Sequence, residues 1–444
     1  MTEGKAYKSI LFFALPIMGG ILLQMLYNTV DGIVVGNFVS EQALGAVNTS
    51  GTFATLLVSV SNGISNGSSV YLAQLYGAKE KNQLHKAMST MVLLMVFMGI
   101  GFTVIGELAS SLILHNILSV PADAYADALV YLRIYLLGLC LMFLFNGLSA
   151  SLRAIGDSKA AMLMLVVSSL VNIVLDIVFV VVLHWGVAGV AVATVIAQAM
   201  ALAACVVYIR KKQPLLMLTV KELRFDLEIC LIYLKTGIPM AIMNVISNVG
   251  AMAVQRLVNS YGSSFMAAVA AAGKLEQYAC VPVMSFAQAV TVFTGQNVGA
   301  GKLDRVKKGL HSTWCMSAIG CGILSIVFFV AARPVIMLFG CRGETLEIGV
   351  QYIHFIPFII IFAMFQFTTR CMLQGAGDVT VPMILTFVTL AVRVASAYIM
   401  AATPIGYRAV WYATAVDFAL GSICVLIRMR TGKWKTKRLV KTNA

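Results

Sequence analysis

The feature that most constrains the fold is a series of twelve apolar segments, each long enough to cross a lipid bilayer as a helix. The hydrocarbon core of a bilayer is about 30 Å thick, so a spanning helix needs roughly 20 apolar residues. The connections between the segments are short and leave no room for a separate soluble domain. The segments are 10–38, 47–72, 86–114, 125–150, 160–184, 187–209, 237–258, 270–298, 310–338, 350–375, 380–402 and 408–428.

Composition supports a membrane protein and argues against two other classes. Charged residues make up 11% of the 444 residues, whereas soluble proteins carry about 25%. Disorder is excluded as well, because 60% of the chain is hydrophobic. The nine cysteines form no CxxC pair and the five histidines are dispersed, so we expect no metal centre and no enzyme active site. Nucleotide-binding glycine motifs are absent, and we expect no cofactor.

The lysines and arginines predict the orientation of the chain. If the N-terminus is cytoplasmic, twenty-five of them, Arg370 included, fall in inner loops and tails, four fall in outer loops, and three lie within spans. Cytoplasmic loops of membrane proteins carry this excess of positive charge. We therefore predict a multi-pass plasma-membrane protein with both termini in the cytoplasm. The net charge of +14 then marks membrane flanks, and no nucleic-acid partner is expected.

Three pairs of sequence blocks recur at nearly one spacing, which indicates an internal duplication. The spacings are 223, 222 and 221 residues for Leu15-Pro16 with Ile238-Pro239, Gln74–Ala78 with Gln296–Ala300, and Leu152–Asp157 with Leu373–Asp378. Each unit holds six helices, an even number, so both units enter the membrane in the same sense. We predict an all-α fold of two six-helix lobes related by a pseudo-two-fold axis along the membrane normal. The N-terminal lobe is 1–215, a cytoplasmic linker is 216–236, and the C-terminal lobe is 237–444.

The repeated blocks also predict local structure. We expect Gly77 and Gly299 to end their helices with a positive φ, as a residue beyond a helix C-terminus often does. The aspartates that follow the next pair of glycines, Asp157 and Asp378, are expected to cap the N-termini of the following helices.

Charged side chains at membrane depth need either a partner or a function. A helix rises 1.5 Å per residue, so residue counts from the helix ends give depth. Arg393 and Asp417 both lie about 14 Å below the outer edge, and Glu107 and Arg133 match at roughly 10–12 Å. We predict that each of these two pairs is a structural ion pair.

Two carboxylates in the first half, Asp31 and Asp176, have no basic residue at their depth once Arg133 is assigned to Glu107. Asn172 shares a helix face with Asp176 because it lies four residues earlier, and Thr194 lies at a similar depth on the next helix. Hard oxygen ligands of this kind suit a sodium ion. They suit a proton equally, because two nearby carboxylates in a low dielectric do not both stay charged cheaply. The sequence thus predicts a cation site at Asp31, Asn172, Asp176 and Thr194, unless Asn172 and Asp176 merely tie their helix to its neighbours.

The first helix carries a proline and a polar stripe. Pro16 removes a backbone hydrogen bond and permits a bend, so we predict a hinge there. Gln24, Tyr27 and Asp31 follow at spacings of three and four residues, and a polar stripe of this kind should face a cavity rather than lipid. We expect Met142 and Asn146 of the fourth helix to line the same cavity.

These residues resemble those of the multidrug and toxic compound extrusion (MATE) transporters, in particular the DinF-like and archaeal-type branch. The resemblance runs along nearly the whole chain and rests on the order and spacing of several blocks. They are Pro16…Gln24…Asp31-Gly32…Gly36, the repeated Gln-x-x-Gly-Ala and Leu-x-x-x-Gly-Asp blocks, and Asn172-x-x-x-Asp176.

The resemblance implies a function. In such relatives the residues matching Asp31, Asn172, Asp176 and Thr194 form the cation site, and those matching Gln24 and Tyr27 line a drug cavity. It implies efflux of amphipathic, often cationic, small molecules in exchange for inward H⁺ or Na⁺, by a protein we expect to be monomeric. Helices 7 and 10 carry no acidic residue here, so a second-lobe sodium site is not expected. The alternative is a flippase of a lipid-linked saccharide or another amphipathic lipid, whose cavity should hold several arginines to meet phosphates.

Overall fold

A computed structural model describes the backbone of residues 1–38, 41–118 and 120–440, without the side chains of 28, 30–38, 41–44, 46, 48, 117, 123 and 220. This part of the chain is helical throughout and contains no β-strand. Its α-helices are α1 (Ala6–Phe38), α2 (Glu41–Ala78), α3 (Lys81–Leu112), α4 (Ala122–Leu137), α5 (Leu139–Ala154), α6 (Ser158–Asp176), α7 (Gly186–Lys212), α8 (Leu227–Ser260), α9 (Ser263–Gly299), α10 (Leu303–Leu338), α11 (Gly343–Gly375), α12 (Thr380–Ala401) and α13 (Ala409–Arg430).

A helix occupies each of the twelve predicted spans, with one span bent. Among the described residues, ten helices are long and apolar enough to cross a membrane by themselves, and α4 with α5 make an eleventh that bends by 48°. The bend lies at Gly138, where close packing leaves no room for a Cβ beside Val195. Helix α2 is more polar, with twelve Ser, Thr and Asn residues between 48 and 69. Several of their hydroxyls donate to the carbonyl four residues earlier, as Thr55 does to Gly51 at 2.8 Å, so they are satisfied within the helix.

The chain forms two compact units. Unit 1 contains Met1–Met18 and Ile242–Ala444, and unit 2 contains Gly19–Ala241. Helices α1 and α8 therefore each contribute residues to both units. The predicted lobes, 1–215 and 237–444, follow from the sequence repeat, whereas the two units are defined by contacts. The lobe boundaries therefore stay a prediction.

Small residues hold α2 against the first half of α8 within unit 2. Gly63 and Gly67 lie one turn apart on α2, opposite Ala241 and Gly237 of α8. A Cβ built on Gly63 would overlap the backbone of Ala241, and one on Gly67 would overlap that of Gly237. Helices approach this closely in membranes when small residues are spaced four apart on each of them.

The segment between α7 and α8 is fastened to α3. The Ser89 hydroxyl donates to the Arg224 carbonyl at 2.9 Å and accepts from the Arg224 amide at 2.6 Å. The Asp226 amide donates to Thr90 Oγ1 at 3.2 Å, and the Tyr233 hydroxyl donates to the Ala87 carbonyl at 2.8 Å. The predicted linker thus has a fixed place in unit 2.

Two hydrophobic clusters of described residues lie in unit 1. The larger joins α8 to α13 around Phe265, Ile356 and Trp411, and Trp411 stacks on Tyr352 with ring centroids 5.2 Å apart. The smaller cluster contains Trp434, which follows α13 and is only 1% exposed. The C-terminal segment is therefore part of the core of unit 1.

Some of the local predictions were wrong. Gly299 ends α9 as expected and Gly77 lies one residue before the end of α2, but neither has a positive φ. The positive φ occurs two residues later, at Lys79 (61°) and Gly301 (73°). Asp157 caps α6 by accepting from the Ala160 amide at 3.1 Å, as expected. Asp378 does not cap α12, because its carboxylate binds Arg428 Nε at 2.7 Å instead.

Replacing Gly67 with valine should destabilise the protein, because the new side chain would push α2 away from α8. Overpacking of this kind costs about 1–3 kcal/mol. The measurement is the thermal midpoint in detergent, followed by size-exclusion chromatography. Gly101→Val is the matched control, since a Cβ at Gly101 meets nothing within 4 Å. Equal midpoints for the two variants would contradict the close contact.

Candidate functional site

Three of the four predicted cation ligands lie on two neighbouring helices of unit 2. Asn172 and Asp176 are on α6, Thr194 is on α7, and these two helices pack against each other. All three side chains are buried, with exposed fractions of 3%, 1% and 9%. Asp176 is the most deeply buried carboxylate in the described part of the chain. Helix α6 begins after Asp157, whose side chain caps it.

Asn172 is the most informative of these residues. Its amide oxygen and nitrogen are both buried and have no hydrogen-bond partner among the described residues. Leaving a buried polar group unsatisfied costs about 1–3 kcal/mol. A buried polar group without a protein partner usually binds an ion or a water molecule instead.

The Thr194 hydroxyl is oriented by its own helix. It donates its proton to the Val190 carbonyl at 3.0 Å, so the oxygen keeps its lone pairs for another partner. A hydroxyl in this state acts as an acceptor or as a ligand for a cation. Thr194 and Asn172 thus both offer oxygen atoms in the interior of unit 2.

The backbone changes at Asp176. This residue ends α6, and the chain continues as a π-helix from Ile177 to Val182. π-Helical turns are rare and occur frequently at functional sites, because they shift the side chains out of the ordinary helical register. The hydropathy of the sequence carries no signal for this feature, since the segment 177–182 is uniformly apolar.

The fourth predicted ligand, Asp31, lies on the backbone of α1, but its side chain is outside the described residues. Helix α1 passes close to α6 eleven residues earlier, where a Cβ on Gly20 would lie 3.2 Å from Leu165. The participation of Asp31 stays a prediction.

The predicted cavity residues are placed as follows. On α1, Gln24 is exposed and Tyr27 is half-buried. On α5, Met142 is buried, and Asn146 Nδ2 donates to Ser61 Oγ of α2 at 3.1 Å. Asn146 therefore has a partner on α2, and Met142 offers little accessible surface. Pro16 lies inside the continuous helix α1, so its role as a hinge stays a prediction.

The structure brings both predicted ion pairs together. Arg133 Nε lies 3.7 Å from Glu107 Oε2, and Arg393 Nη1 lies 3.9 Å from Asp417 Oδ2. The first pair is partly exposed, with the Arg133 side chain 53% accessible, whereas the second is largely enclosed.

Sequence reasoning missed three polar features of unit 1. Arg428 pairs with Asp378, and the Tyr352 hydroxyl donates to Glu276 Oε2 at 2.6 Å. Arg370, counted among loop cations, lies inside α11. The sequence signal for the Arg428 pair was Asp378, the aspartate of the second Leu-x-x-x-Gly-Asp block. That aspartate was predicted to cap a helix, so no basic partner was sought for it.

Comparisons with known proteins agree with this picture. The profile of a family described as MatE matches residues 16–178 and 239–399, two stretches that begin at the paired prolines of the repeat. The chain is 27% identical over 438 residues to the probable multidrug resistance protein YpnP of Bacillus subtilis, covering 99% of this chain and 98% of that one. It is 28% identical over 451 residues to the probable multidrug resistance protein YoeA of the same organism, with coverage of 99% and 96%.

The fold also matches a solved structure. The outward-facing structure of a multidrug resistance MATE family transporter of the MOP superfamily superposes with a TM-score of 0.91 at 24% identity, covering 98% of this chain and 97% of that one. This likeness concerns the fold alone. It confirms the predicted class, an all-helical membrane protein with two lobes.

Replacing Asn172 with leucine tests the site by two opposite effects. Without cation, the variant should be at least as stable as wild type, because an unsatisfied buried amide is removed. The stabilisation that Na⁺ or acidification gives to wild type should be lost, since a ligand stabilises only a state that binds it. The measurement is the thermal midpoint across Na⁺ and pH titrations.

The matched control for this test is Asn62→Leu, which changes an exposed amide of the same unit. It should leave the cation-dependent shift unchanged. A variant at Asn172 that is less stable without cation and keeps the full shift would show that this amide serves packing alone.

Proposed function

The chain belongs to the MatE family, and on this premise we propose that it is a secondary antiporter that exports amphipathic, often cationic, small molecules in exchange for inward H⁺ or Na⁺. The observation that carries the proposal is the buried set of oxygen ligands on α6 and α7, with Asn172 unsatisfied in the described structure. The names of the Bacillus subtilis relatives, as probable multidrug resistance proteins, support the class of substrate.

The proposed cation site consists of Asp31, Asn172, Asp176 and Thr194. A cation that moves inward supplies about 2.3 kcal/mol per charge per 100 mV, in addition to its concentration gradient. Asp176 is the group that takes up the proton or the sodium ion, and the neutral oxygens of Asn172 and Thr194 replace part of its hydration shell. Asp31 completes the set from α1.

Coupling requires that the cation and the exported compound favour different states of the protein. We assign the compound to a cavity lined by Gln24, Tyr27, Met142 and Asn146, and the change of state to a bend of α1 at Pro16. Gln24 and Tyr27 precede Asp31 on the same helix at helical spacing, so a bend at Pro16 would move the cavity wall and the cation ligand together.

The orientation in the membrane is part of the proposal. Without Arg370, which lies inside α11, twenty-four lysines and arginines flank the spans on one side and four on the other, which supports cytoplasmic termini in a plasma-membrane protein. We also propose that the protein works as a monomer, because each ligand of the proposed cation site and cavity comes from one chain.

Asp176→Asn and Asp31→Asn should each reduce efflux to the level of empty vesicles, because an amide neither releases a proton nor balances the charge of a cation. The measurement is export of a fluorescent organic cation from cells and from vesicles that contain the purified protein. Asp127→Asn is the control, since this carboxylate is exposed on α4. Normal export by both variants, at normal expression, would disprove the proposed site.

Separately imposed gradients should identify the coupling ion. Vesicles with the purified protein receive either a Na⁺ gradient at equal pH or a pH gradient without Na⁺, and uptake of the organic cation is followed by fluorescence. One of the two gradients should drive uptake several-fold above vesicles without a gradient. If neither does so, the antiport proposal fails.

A further inference from the structure

Polar side chains meet between α3 and α4 at the surface of unit 2, and we call this group the polar seam. It consists of Glu107, Ser110 and Ser111 of α3 with Tyr125 and Arg133 of α4. Arg133 Nε lies 3.7 Å from Glu107 Oε2 and 3.5 Å from Ser110 Oγ. The Ser111 and Tyr125 hydroxyls lie 2.7 Å apart. The five side chains therefore form one continuous feature across the two helices.

The two helices are fastened to each other beside the polar seam. The Thr103 hydroxyl of α3 donates to the Leu136 carbonyl of α4 at 2.8 Å. A Cβ built on Gly106 would lie 2.6 Å from the Leu136 side chain, so the helices are in close contact there. The polar seam is therefore a fixed surface, with its side chains held at defined positions.

Exposed apolar side chains surround the polar seam. Four large ones are Leu108 and Leu112 on α3, and Val130 and Leu137 on α4. Val130 and Leu137 lie three residues before and four residues after Arg133, so they share its helix face. Helix α3 belongs to a candidate membrane span, and α4 forms part of the bent one. Because an exposed apolar face of a spanning helix contacts hydrocarbon, we place the polar seam against lipid.

The guanidinium of Arg133 has spare hydrogen-bond donors. A guanidinium presents five N–H groups, and both contacts of Arg133 with described residues are made through Nε. These contacts are also long, since charge-assisted hydrogen bonds usually measure about 2.7–2.9 Å. The side chain is 53% accessible, so its terminal nitrogens face the surroundings of the protein. A cation at membrane depth is costly without a partner, and Glu107 alone does not use these donors.

The direction of the Arg133 side chain indicates which group it meets. Helical side chains lean toward the N-terminus of their helix, which for α4 is the end that carries Tyr125. Arg133 Nε accordingly lies closer to Ser110 than to Glu107, and Ser110 is almost one turn nearer the C-terminal end of α3. A long basic side chain that leans in this way brings its charge toward the headgroup region of the bilayer. The anionic group present throughout that region is the phosphate of a phospholipid.

We propose that the polar seam is a binding site for one phospholipid, whose phosphate is held by Arg133. Phosphate oxygens fit the fork of a guanidinium. Ser111 and Tyr125 share one hydrogen bond, so the proton of the second hydroxyl is left for an oxygen of the lipid. The acyl chains lie along the exposed leucines of α3 and α4. The site shares no residue with the proposed cation site or cavity, so it does not depend on the proposed antiport.

A matched pair of lipids tests the site. Dioctanoyl phosphatidylethanolamine carries a phosphate, and dioctanoylglycerol has the same acyl chains without it. Native mass spectrometry of the purified full-length protein in detergent gives the affinity for the first bound molecule of each, and the ratio of the two affinities is the readout. Wild type should bind the phospholipid more tightly. Because a hydrogen bond between charged groups is lost, the ratio should fall about tenfold or more in Arg133→Gln.

A second variant should change the ratio in the opposite direction. Glu107→Gln keeps Arg133 but removes the carboxylate that competes with phosphate for it, so the ratio should rise. Arg133→Gln combined with Glu107→Gln leaves no unpaired charge and should lower the ratio as the single variant does, which covers the case in which Arg133→Gln alone does not fold. Arg333→Gln is the control, because Arg333 is an exposed arginine that also pairs with a glutamate, Glu347, at 2.7 Å. It should leave the ratio unchanged.

Three outcomes would overturn the lipid site. Equal affinities of wild type for the two lipids would show that the phosphate is not recognised. A ratio that is the same in wild type and in every folded variant would show that Arg133 and Glu107 serve as a structural ion pair alone. Displacement of the phospholipid by inorganic phosphate at the same concentration would show a site for free anions instead. Each result concerns lipid binding and leaves the test of antiport untouched.

Discussion

The positions of the charged side chains in this protein follow from the free-energy cost of placing a charge in an apolar interior. A buried ion that lacks a partner is strongly destabilising, so a helix that carries one must present it to an opposite charge or to a ligand. Arg428 obeys this rule in the last turn of α13, where its Nε lies 2.7 Å from the buried carboxylate of Asp378. The amide of Asn172 on α6 is among the buried polar groups that have no hydrogen-bond partner in the described residues. That amide is part of the proposed cation site.

Much of the fold could be predicted because lipid imposes a simple requirement on the sequence. Each span must be a helix of sufficient length, and the run of apolar residues shows where it lies. The break between α4 and α5 was missed, because it depends on how closely Gly138 approaches Val195 of another helix. The position of the left-handed residue after α2 was also missed, since the chain leaves the helix two residues beyond the glycine of the repeated block.

The sites were predictable only in part. Depth along a helix predicted which charges lie at the same level in the membrane. The predicted pair of Arg393 and Asp417 lies 3.9 Å apart. Depth does not give the rotation of a helix about its axis, so the bond from Tyr352 to Glu276 was not foreseen. A tyrosine also carries no charge, so matching opposite charges by depth does not identify it as a partner. The π-helix after Asp176 was equally hidden, because a run of apolar residues fits several helical geometries.

The way α8 begins has a consequence for the covalent connection between the two halves of the chain. Its first half fits against the glycines of α2, and the preceding segment is hydrogen-bonded to α3. The polypeptide between Lys212 and Thr219 therefore does not act as a tether, since the residues after it are already bound in place. A chain severed there, or one expressed as two separate fragments, would still assemble through these same contacts.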